Sequence, residues 1–134
     1  MIPAGFSELR RAFWQHSHVA ENGTSTAHYL LLFYAVECGL KAVYLQRKKF
    51  NSIEKIRDEK LRASHDLARW VKELRLPARI TGAIPTFRLE RDGSSWSVDQ
   101  AHQAWRYGVG LVIGNEKTLV SWLRQIHGWI REAV

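Results

Sequence analysis

The sequence predicts an all-α fold, in which four to five helices form a single up-and-down bundle over residues 1–134. The 134 residues, 46% apolar and 25% charged, suffice for one hydrophobic core and not for two. Three prolines and nine glycines fall between stretches whose apolar residues recur at the three-to-four spacing of a helix. A small β-hairpin near residues 86–98 is the one expected exception.

The first two helices are predicted from their ends and their apolar residues. Ser7 is the expected N-cap of the first helix, and Asn22-Gly23 ends it. The second helix covers residues 24–49 and is apolar on nearly every face in its first half, which is typical of a helix buried among several others. Gly39, in its middle, indicates that a neighbouring helix packs closely there. The expected inner residues of the first helix are Leu9, Ala12, Phe13 and His16.

The middle of the chain allows more than one assignment of secondary structure. Residues 50–63 are charged and weakly periodic, so a short helix from Ser52 to about Leu61 and a mobile loop both fit. Ser64 is the expected N-cap of the third long helix, and Pro77 ends it. The apolar stripe of this helix consists of Leu67, Trp70, Val71 and Leu74.

The last third of the chain combines a hairpin with two helices. Apolar and polar residues alternate on both sides of Asp92-Gly93, which predicts a hairpin with a tight turn; the apolar ones are Phe87, Leu89, Trp96 and Val98. A short helix over residues 99–107 is stopped by Gly108. The last helix begins at Asn115 as N-cap and faces inward with Leu119, Trp122, Leu123, Ile126, Trp129 and Ile130.

The net charge of +7 is concentrated in one part of the chain. Residues 47–91 hold thirteen Lys and Arg residues against six Asp and Glu residues, which accounts for the whole excess. A basic block within a neutral chain indicates an anionic partner, and nucleic acid is the first candidate. The expected contacts are Arg47, Lys48, Lys49, Lys55, Arg57, Arg62, Arg69 and Arg106.

Composition also excludes several classes of protein. The single cysteine, Cys38, cannot form an intramolecular disulfide or a multi-thiolate zinc site, and it fits a reducing compartment. The chain starts without a signal-peptide pattern, and the longest apolar run, residues 29–36, is too short to span a membrane. Metal-ligand spacings, phosphate loops and dinucleotide fingerprints are missing from the sequence. We therefore expect a cytoplasmic protein with no membrane partner, no metal and no cofactor.

Six residues are the candidates for a polar cleft or a polar core cluster: Glu37, Lys41, His65, His102, Arg106 and Tyr107. Glu37 and Lys41 are four residues apart in the order that favours a helical ion pair. They either form a polar seam inside the bundle or open toward a ligand or a partner subunit. His65 lies between Ser64 and Asp66, where it either acts as an acid or base or hydrogen-bonds to another helix.

The segment 102–108 carries the other dense group of functional side chains. His102 and Arg106 are four apart and share a helical face. Arg106 is able to contact phosphate in bidentate fashion, and Tyr107 is able to stack on a base. In the alternative interpretation, Trp105 and Tyr107 anchor the core while Arg106 pairs with a carboxylate such as Glu37.

Three strings together resemble the HEPN superfamily of small helical bundles. They are Leu31-Leu-Phe-Tyr-Ala-Val-Glu37-Cys-Gly-Leu-Lys41-Ala in the second helix, then Ser64-His-Asp-Leu, then Ala104-Trp-Arg-Tyr-Gly. The resemblance implies an up-and-down bundle of four or five helices that usually dimerises. Many members are metal-independent RNases of toxin–antitoxin, CRISPR and anti-phage systems, and others are inactive and serve in assembly or RNA binding.

The sequence departs from the active members of that superfamily. Their arginine and a later histidine are separated by four to six intervening residues near the start of a late helix. Arg106 is the arginine best placed by the pattern, but Leu111, Val112 and Ile113 stand where the histidine is required. Arg10 and Arg11 have the qualifying spacing to His16, and Arg11 also has it to His18, but this number of pairs is expected by chance.

Three functions follow as hypotheses. The first is a non-catalytic HEPN-like subunit that binds nucleic acid, with RNA favoured, or a nucleoprotein or protein partner in bacterial defence or a toxin–antitoxin system. The second is a metal-independent RNase with a variant site formed by His65, His102 and Arg106. The third is a protein–protein module that only dimerises. In each case we expect a homodimer or an assembly with an adjacent gene product.

Overall fold

The computed structural model describes residues 2–134 of the chain. Within that range it contains seven α-helices, two short 3-10 helices and one two-stranded antiparallel sheet. The helices are α1 (Phe6–Ala20), α2 (Thr26–Lys48), α3 (Glu59–Arg62), α4 (Leu67–Glu73), α5 (Ala78–Thr81), α6 (Ala101–Arg106) and α7 (Ile113–Ala133), and the strands are β1 (Thr86–Arg88) and β2 (Ser95–Ser97). The predicted helical class and the hairpin are confirmed. The predicted number of four to five helices is too low, because the middle of the chain divides into the short helices α3, α4 and α5.

Three long helices build the core, with α2 at its centre between α1, α7 and the short helices α4 and α6. The apolar composition of α2 predicted this position, since a helix apolar on most faces has to be covered on most faces. The largest side chains that are fully buried come from all parts of the bundle and include Phe13, Phe33, Leu40, Trp70, Leu123 and Ile126. One continuous core therefore holds the chain together.

Gly39 lets α1 and α7 both approach α2 at the same level. A Cβ atom at this position would lie 2.6 Å from Cγ2 of Ile130 and 2.7 Å from Cδ1 of Phe13, which is closer than carbon atoms can pack. Glycine costs a helix about 1 kcal/mol relative to alanine. The close packing of the three helices offsets that cost, as the sequence suggested.

The inner face of α1 differs from the prediction at two of the four residues. Leu9 and Phe13 are buried, whereas Ala12 and His16 are only half-buried, and Ser17 is buried in addition. The Ser17 hydroxyl donates to the Phe13 carbonyl at 2.6 Å and lies 2.7 Å from Nε2 of the buried His127 of α7. Burial lowers the pKa of His127 below its ordinary value of 6.5. This polar pair joins the two helices inside the core, where each of the two side chains is the hydrogen-bond partner of the other.

The predicted helix starts at Ser7 and Asn115 are wrong. Gly5 is the N-cap of α1, and its N–H donates to the Glu8 carboxylate at 2.9 Å. In α7 the helix already begins at Ile113, and the Asn115 side chain accepts a hydrogen bond from the Arg88 N–H at 2.9 Å. Asn115 thus fastens the hairpin to α7 instead of capping a helix.

Segment 50–63 contains a 3-10 turn at Ile53–Lys55 and the short helix α3, which Asp58 caps by accepting from the N–H groups of Lys60 and Leu61. The next helix, α4, begins at Leu67, three residues after Ser64, which the sequence predicted as its cap. Asp66 caps it, and Ser64 instead accepts a hydrogen bond from the Asp66 N–H at 3.0 Å. As a result, His65 lies in the turn before the helix.

The hairpin pairs Phe87 with Trp96, and the chain turns through residues 89–94 with Gly93 at a φ of 71°. That positive φ is the reason for a glycine in the turn. Phe87 is buried, while Trp96, which lies directly opposite it and therefore on the same face of the sheet, is 44% exposed. This face is thus covered at β1 and reaches solvent at β2. None of the helices within residues 2–134 combines the length and the hydropathy that crossing a bilayer requires.

Candidate functional site

Six polar residues from three segments meet on one side of α2. They are Tyr34, Glu37 and Lys41 of α2, His65 of the turn before α4, and His102 and Arg106 of α6, and we call them the polar cluster. Residues three, four and seven apart share one face of a helix, which explains the alignment of the three members on α2. His102 and Arg106 share a face of α6 for the same reason.

Glu37 is the centre of the cluster and is only 8% exposed. Its Oε2 atom accepts a hydrogen bond from Nζ of Lys41 at 3.2 Å, and its Oε1 atom lies 2.8 Å from Nδ1 of His65. A buried carboxylate is tolerated only when it is paired and hydrogen-bonded. Both oxygens have partners here, so Glu37 fixes the positions of a lysine and a histidine at once.

His65 is held by the turn that contains it. The Trp70 indole N–H donates to the Ser64 carbonyl at 3.0 Å, which anchors this turn on α4. The same indole ring lies 5.9 Å from Nζ of Lys41, so Trp70 supports both residues that bind Glu37. The His65 side chain is 59% exposed. Because its Nδ1 faces Glu37, its Nε2 remains available to a ligand.

His102 forms the buried side of the cluster. Its ring centroid lies 5.5 Å from that of His65 and 5.0 Å from that of Phe33. Burial in the first place, and the nearby His65 and Arg106 in the second, lower the pKa of His102 below 6.5, so the ring is neutral at pH 7. Its Nδ1 atom has no hydrogen-bond partner among residues 2–134.

Arg106 forms the exposed side of the cluster, in the last turn of α6. Its guanidinium donates a hydrogen bond to the Tyr34 hydroxyl and lies 5.9 Å from the centroid of the Tyr34 ring. Within residues 2–134 it forms no salt bridge with a carboxylate. The tyrosine orients this cation without neutralising it, and such a group is suited to binding an anion.

The predicted cluster is therefore largely assembled, with two differences. Tyr107 lies at the edge of the cluster, where its hydroxyl, after that of Tyr34, raises the pKa of Arg106. It is 71% exposed beside the hairpin and is not the core anchor of the alternative interpretation. Trp105 does enter the core and donates to the Glu116 carboxylate at 3.1 Å. Arg106 bonds to Tyr34 and not to Glu37, so the predicted pairing with a carboxylate is wrong. The sequence did show Tyr34 on the face of Glu37, although not as a partner of Arg106.

The eight basic residues predicted to bind nucleic acid lie in different environments. Three of them bond within the protein: Arg47 to the Leu74 carbonyl, Arg62 to the Ile56 carbonyl and to Glu59, and Arg69 to Asp58. Lys48, Lys49, Lys55 and Arg57 are exposed and form no salt bridge within the part of the chain described.

Arg106 is remote from Arg47, Lys48 and Lys49 along the central helix. It contacts Tyr34, and α2 rises by roughly 20 Å between Tyr34 and Arg47. The predicted interface is therefore two regions and not one: the polar cluster with Arg106, and a basic end formed by Arg47, Lys48 and Lys49 with the adjoining Lys55 and Arg57. Only the first of them combines a cation with acid–base groups.

Among residues 2–134, no three His, Cys, Asp or Glu side chains are grouped as metal ligands would be. Cys38 is next to Glu37 in the chain and half-buried, and burial, followed by the charge of Glu37, raises the pKa of its thiol to about 11. A thiol with that pKa stays protonated and weakly nucleophilic at neutral pH. The chemistry of the cluster therefore depends on its carboxylate, imidazole, guanidinium and phenol groups.

The chain has no significant match among known protein families, characterised proteins or solved structures. The resemblance to the HEPN superfamily stays a hypothesis based on three motifs. The geometry of the polar cluster and the distribution of charge are the grounds for the function proposed next.

Proposed function

We propose that the protein is a HEPN-like subunit that binds RNA, and that the polar cluster is where it contacts a phosphodiester group. The uncompensated guanidinium of Arg106 carries the proposal, because the Tyr34 hydroxyl holds it in place while no carboxylate neutralises it within residues 2–134. Arginine in such a position binds phosphate oxygens through two N–H groups at once. The exposed Nε2 atom of His65 adds a second polar contact nearby.

The basic end of α2 supports the same proposal as a second contact. Lys48 and Lys49 are exposed at the C-terminus of that helix, and Lys55 and Arg57 are exposed just beyond it. Lysine and arginine side chains that neutralise phosphates release counterions, which supplies most of the sequence-independent affinity for nucleic acid. A strand of RNA that reaches both contacts would span roughly 20 Å, the rise of α2 between Tyr34 and Arg47.

Replacing Arg106 with alanine is expected to weaken binding of single-stranded RNA by about 10-fold to 100-fold, since a hydrogen bond to a charged group is lost. Loss of one phosphate contact also lowers the slope of log affinity against log salt concentration by about 0.7 for a single strand. Fluorescence anisotropy with a labelled RNA at several salt concentrations measures both quantities.

Arg124→Ala is the matched control, because Arg124 is an exposed arginine on α7 whose loss changes the net charge by the same amount. We expect this variant to bind RNA nearly as the original protein does. Equal losses in the two variants would mean that only net charge matters and would contradict a specific role for Arg106. Affinity no better than millimolar in low salt would contradict RNA binding altogether.

One observation favours a second candidate function, a metal-independent RNase. Nδ1 of His65 lies 2.8 Å from Glu37, and a carboxylate in this position holds an imidazole in one orientation and leaves Nε2 to act as a base. Nε2 would then take the proton of an RNA 2′-hydroxyl while the 2′-oxygen attacks phosphorus. The bond from phosphorus to the 5′-oxygen breaks, that oxygen takes a proton from water, and a 2′,3′-cyclic phosphate and a 5′-hydroxyl remain.

An RNase of this kind would cleave RNA in EDTA and leave DNA intact, because DNA has no 2′-hydroxyl. His65→Gln is then expected to lower the rate of cleavage by about 100-fold or more, as for loss of a general base, with RNA affinity nearly unchanged. His18→Gln, at an exposed histidine of α1, is the matched control. Absence of cleavage with excess protein would remove this candidate and leave the binding proposal intact.

The HEPN resemblance also leads us to propose a biological setting for the RNA-binding subunit. Members of that superfamily dimerise or pair with the product of an adjacent gene, often in bacterial defence or toxin–antitoxin systems in the cytoplasm. Exposed apolar side chains on α1, such as Val19, which is 45% exposed, are compatible with such a contact.

A further inference from the structure

A narrow groove separates the hairpin from α6, on the side of α6 next to the polar cluster. Phe87 and Leu89, both buried, form its floor, and Trp96 and Tyr107 flank it. These two aromatic side chains are 44% and 71% exposed. The groove has a volume of about 170 Å³, well below the roughly 300–1,000 Å³ of a pocket for a drug-sized ligand. We call it the aromatic groove.

Trp96 is held in its orientation by the hairpin turn. Its indole N–H donates to the Ser94 hydroxyl at 2.9 Å, and that hydroxyl donates to the Asp92 carboxylate at 2.7 Å. An exposed ring that is fixed in advance loses little freedom when a ligand stacks on it. On the other side, Gly108 follows Tyr107 with a φ of 68° and turns the backbone away, which leaves the tyrosine ring at the end of α6.

The edges of the groove are polar. The Gln103 side chain is exposed and forms no hydrogen bond within the described residues 2–134. Its amide offers one acceptor and two donor hydrogens, the combination that pairs with the edge of a nucleobase. Arg91 also lines the groove, 3.9 Å from the Asp92 carboxylate, and adds guanidinium N–H donors to its rim. A flat ring with hydrogen-bonding edges fits this environment better than a flexible apolar chain does.

Helix α6 connects the groove to the polar cluster. His102 and Arg106 face the cluster, and Gln103 and Tyr107, each one residue further along, line the groove. Successive residues of a helix point about 100° apart, so one short helix presents a phosphate contact on one side and a stacking surface on the next. In a nucleotide the base and its phosphate are likewise held side by side by the ribose.

We propose that the aromatic groove binds a single unpaired nucleobase of the RNA whose phosphate is bound by Arg106. This inference rests on the proposed function and extends it: the ligand is single-stranded, and the protein contacts a base as well as the backbone. Stacking on aromatic side chains is the usual way in which proteins hold unpaired bases. A base within a duplex is already stacked and paired, so double-stranded RNA would bind through Arg106 and the basic end alone.

The test compares a single-stranded RNA with an abasic ribose-phosphate strand of the same length. We expect the protein to bind the RNA more tightly than the abasic strand. Trp96→Ala and, separately, Tyr107→Ala are expected to weaken RNA binding by about 5-fold to 100-fold, as for loss of one stacked base. Their affinity for the abasic strand and the slope against salt concentration stay unchanged, because no phosphate contact is lost.

Trp14→Ala is the control, since Trp14 is a partly exposed tryptophan on α1 and outside the groove. Circular dichroism verifies the fold of each variant, and the high exposure of Tyr107 keeps that variant informative even if Trp96→Ala disturbs the hairpin. Unchanged RNA affinity in Tyr107→Ala, alongside a loss in Arg106→Ala, overturns the groove inference and leaves the proposed function standing.

Binding of adenosine is a further measurement that tests the aromatic groove independently of the phosphate contact at Arg106. Adenosine carries a base and no phosphate, so its binding, followed by tryptophan fluorescence, does not depend on Arg106. Saturable binding that Tyr107→Ala removes and Arg106→Ala preserves supports the groove even if the phosphate contact fails. Absence of saturable adenosine binding, together with equal affinities for RNA and the abasic strand, overturns it.

Discussion

Replacement of Glu37 by leucine is expected to lower the free energy of unfolding by about 3–5 kcal/mol, the usual cost of removing one partner from a buried ion pair. The reason is Lys41, whose side chain is only 10% exposed and would be left buried without its counter-charge. His65 would lose its partner too, but its exposed ring can bond to water. Urea unfolding followed by circular dichroism measures the loss.

The double variant Glu37→Leu with Lys41→Met tests that reason. Well-packed apolar residues in place of a buried pair are often neutral or stabilising, so we expect the double variant to recover most of the lost stability. Glu21→Leu is the comparison, because Glu21 and Arg131 form an exposed pair at 3.0 Å, and such pairs contribute at most about 1 kcal/mol. A cost at Glu37 as small as at Glu21 would contradict a buried, charged pair.

The second large effect is expected at Trp70. Its side chain is fully buried, and Trp70→Ala should cost about 3–5 kcal/mol, as for other large-to-small substitutions in a core. Trp70→Phe keeps an aromatic ring beside Lys41 and Tyr44 but loses the hydrogen bond to the Ser64 carbonyl. We expect a smaller loss of stability together with a freer turn at His65, seen as a broader NMR signal of its ring.

Trp96→Ala provides the contrast for Trp70. Trp96 is 44% exposed on the hairpin, and substitutions at such surface positions usually change stability by less than about 0.5 kcal/mol. Comparison of the urea unfolding transitions of Trp70→Ala and Trp96→Ala distinguishes a tryptophan that stabilises the core from an exposed tryptophan that contributes little to stability. Similar losses at both positions would mean that the hairpin is part of the cooperative core.

The elements that the sequence predicted correctly are those with a local cause. The apolar periodicity of α1, α2 and α7, the turn at Asp92-Gly93 and the close approach at Gly39 each depend on residues near one another in the chain. The helix starts were harder because several residues can serve as caps. Ser7 and Asn115 are good cap residues, but the Gly5–Glu8 pair caps α1, and Asn115 bonds to Arg88 across the fold.

The candidate site likewise contains contacts with a local cause, which the sequence predicted, and contacts between distant residues, which it did not. Glu37 and Lys41 are one turn apart on α2, so helical spacing alone predicted their ion pair. His65 is 28 residues from Glu37, and Arg106 is 72 residues from Tyr34, so no local pattern could name these partners. Most of the basic residues were predicted as contacts because they lie in one block of the sequence, and Arg106, which lies outside that block, is separated by α2 from Arg47, Lys48 and Lys49 in space.

The shortness of α6 has a consequence for how the site responds to its ligand. A helix of six residues is not stable alone, and packing of Trp105 and His102 against the bundle keeps it folded. Local opening of this one segment would withdraw Arg106, His102 and Tyr107 together, while Glu37 kept its bond to Lys41 on α2. The folding of α6 onto the bundle and the binding of a ligand at the site are thus coupled equilibria. A ligand that binds there would therefore stabilise the folded form of α6.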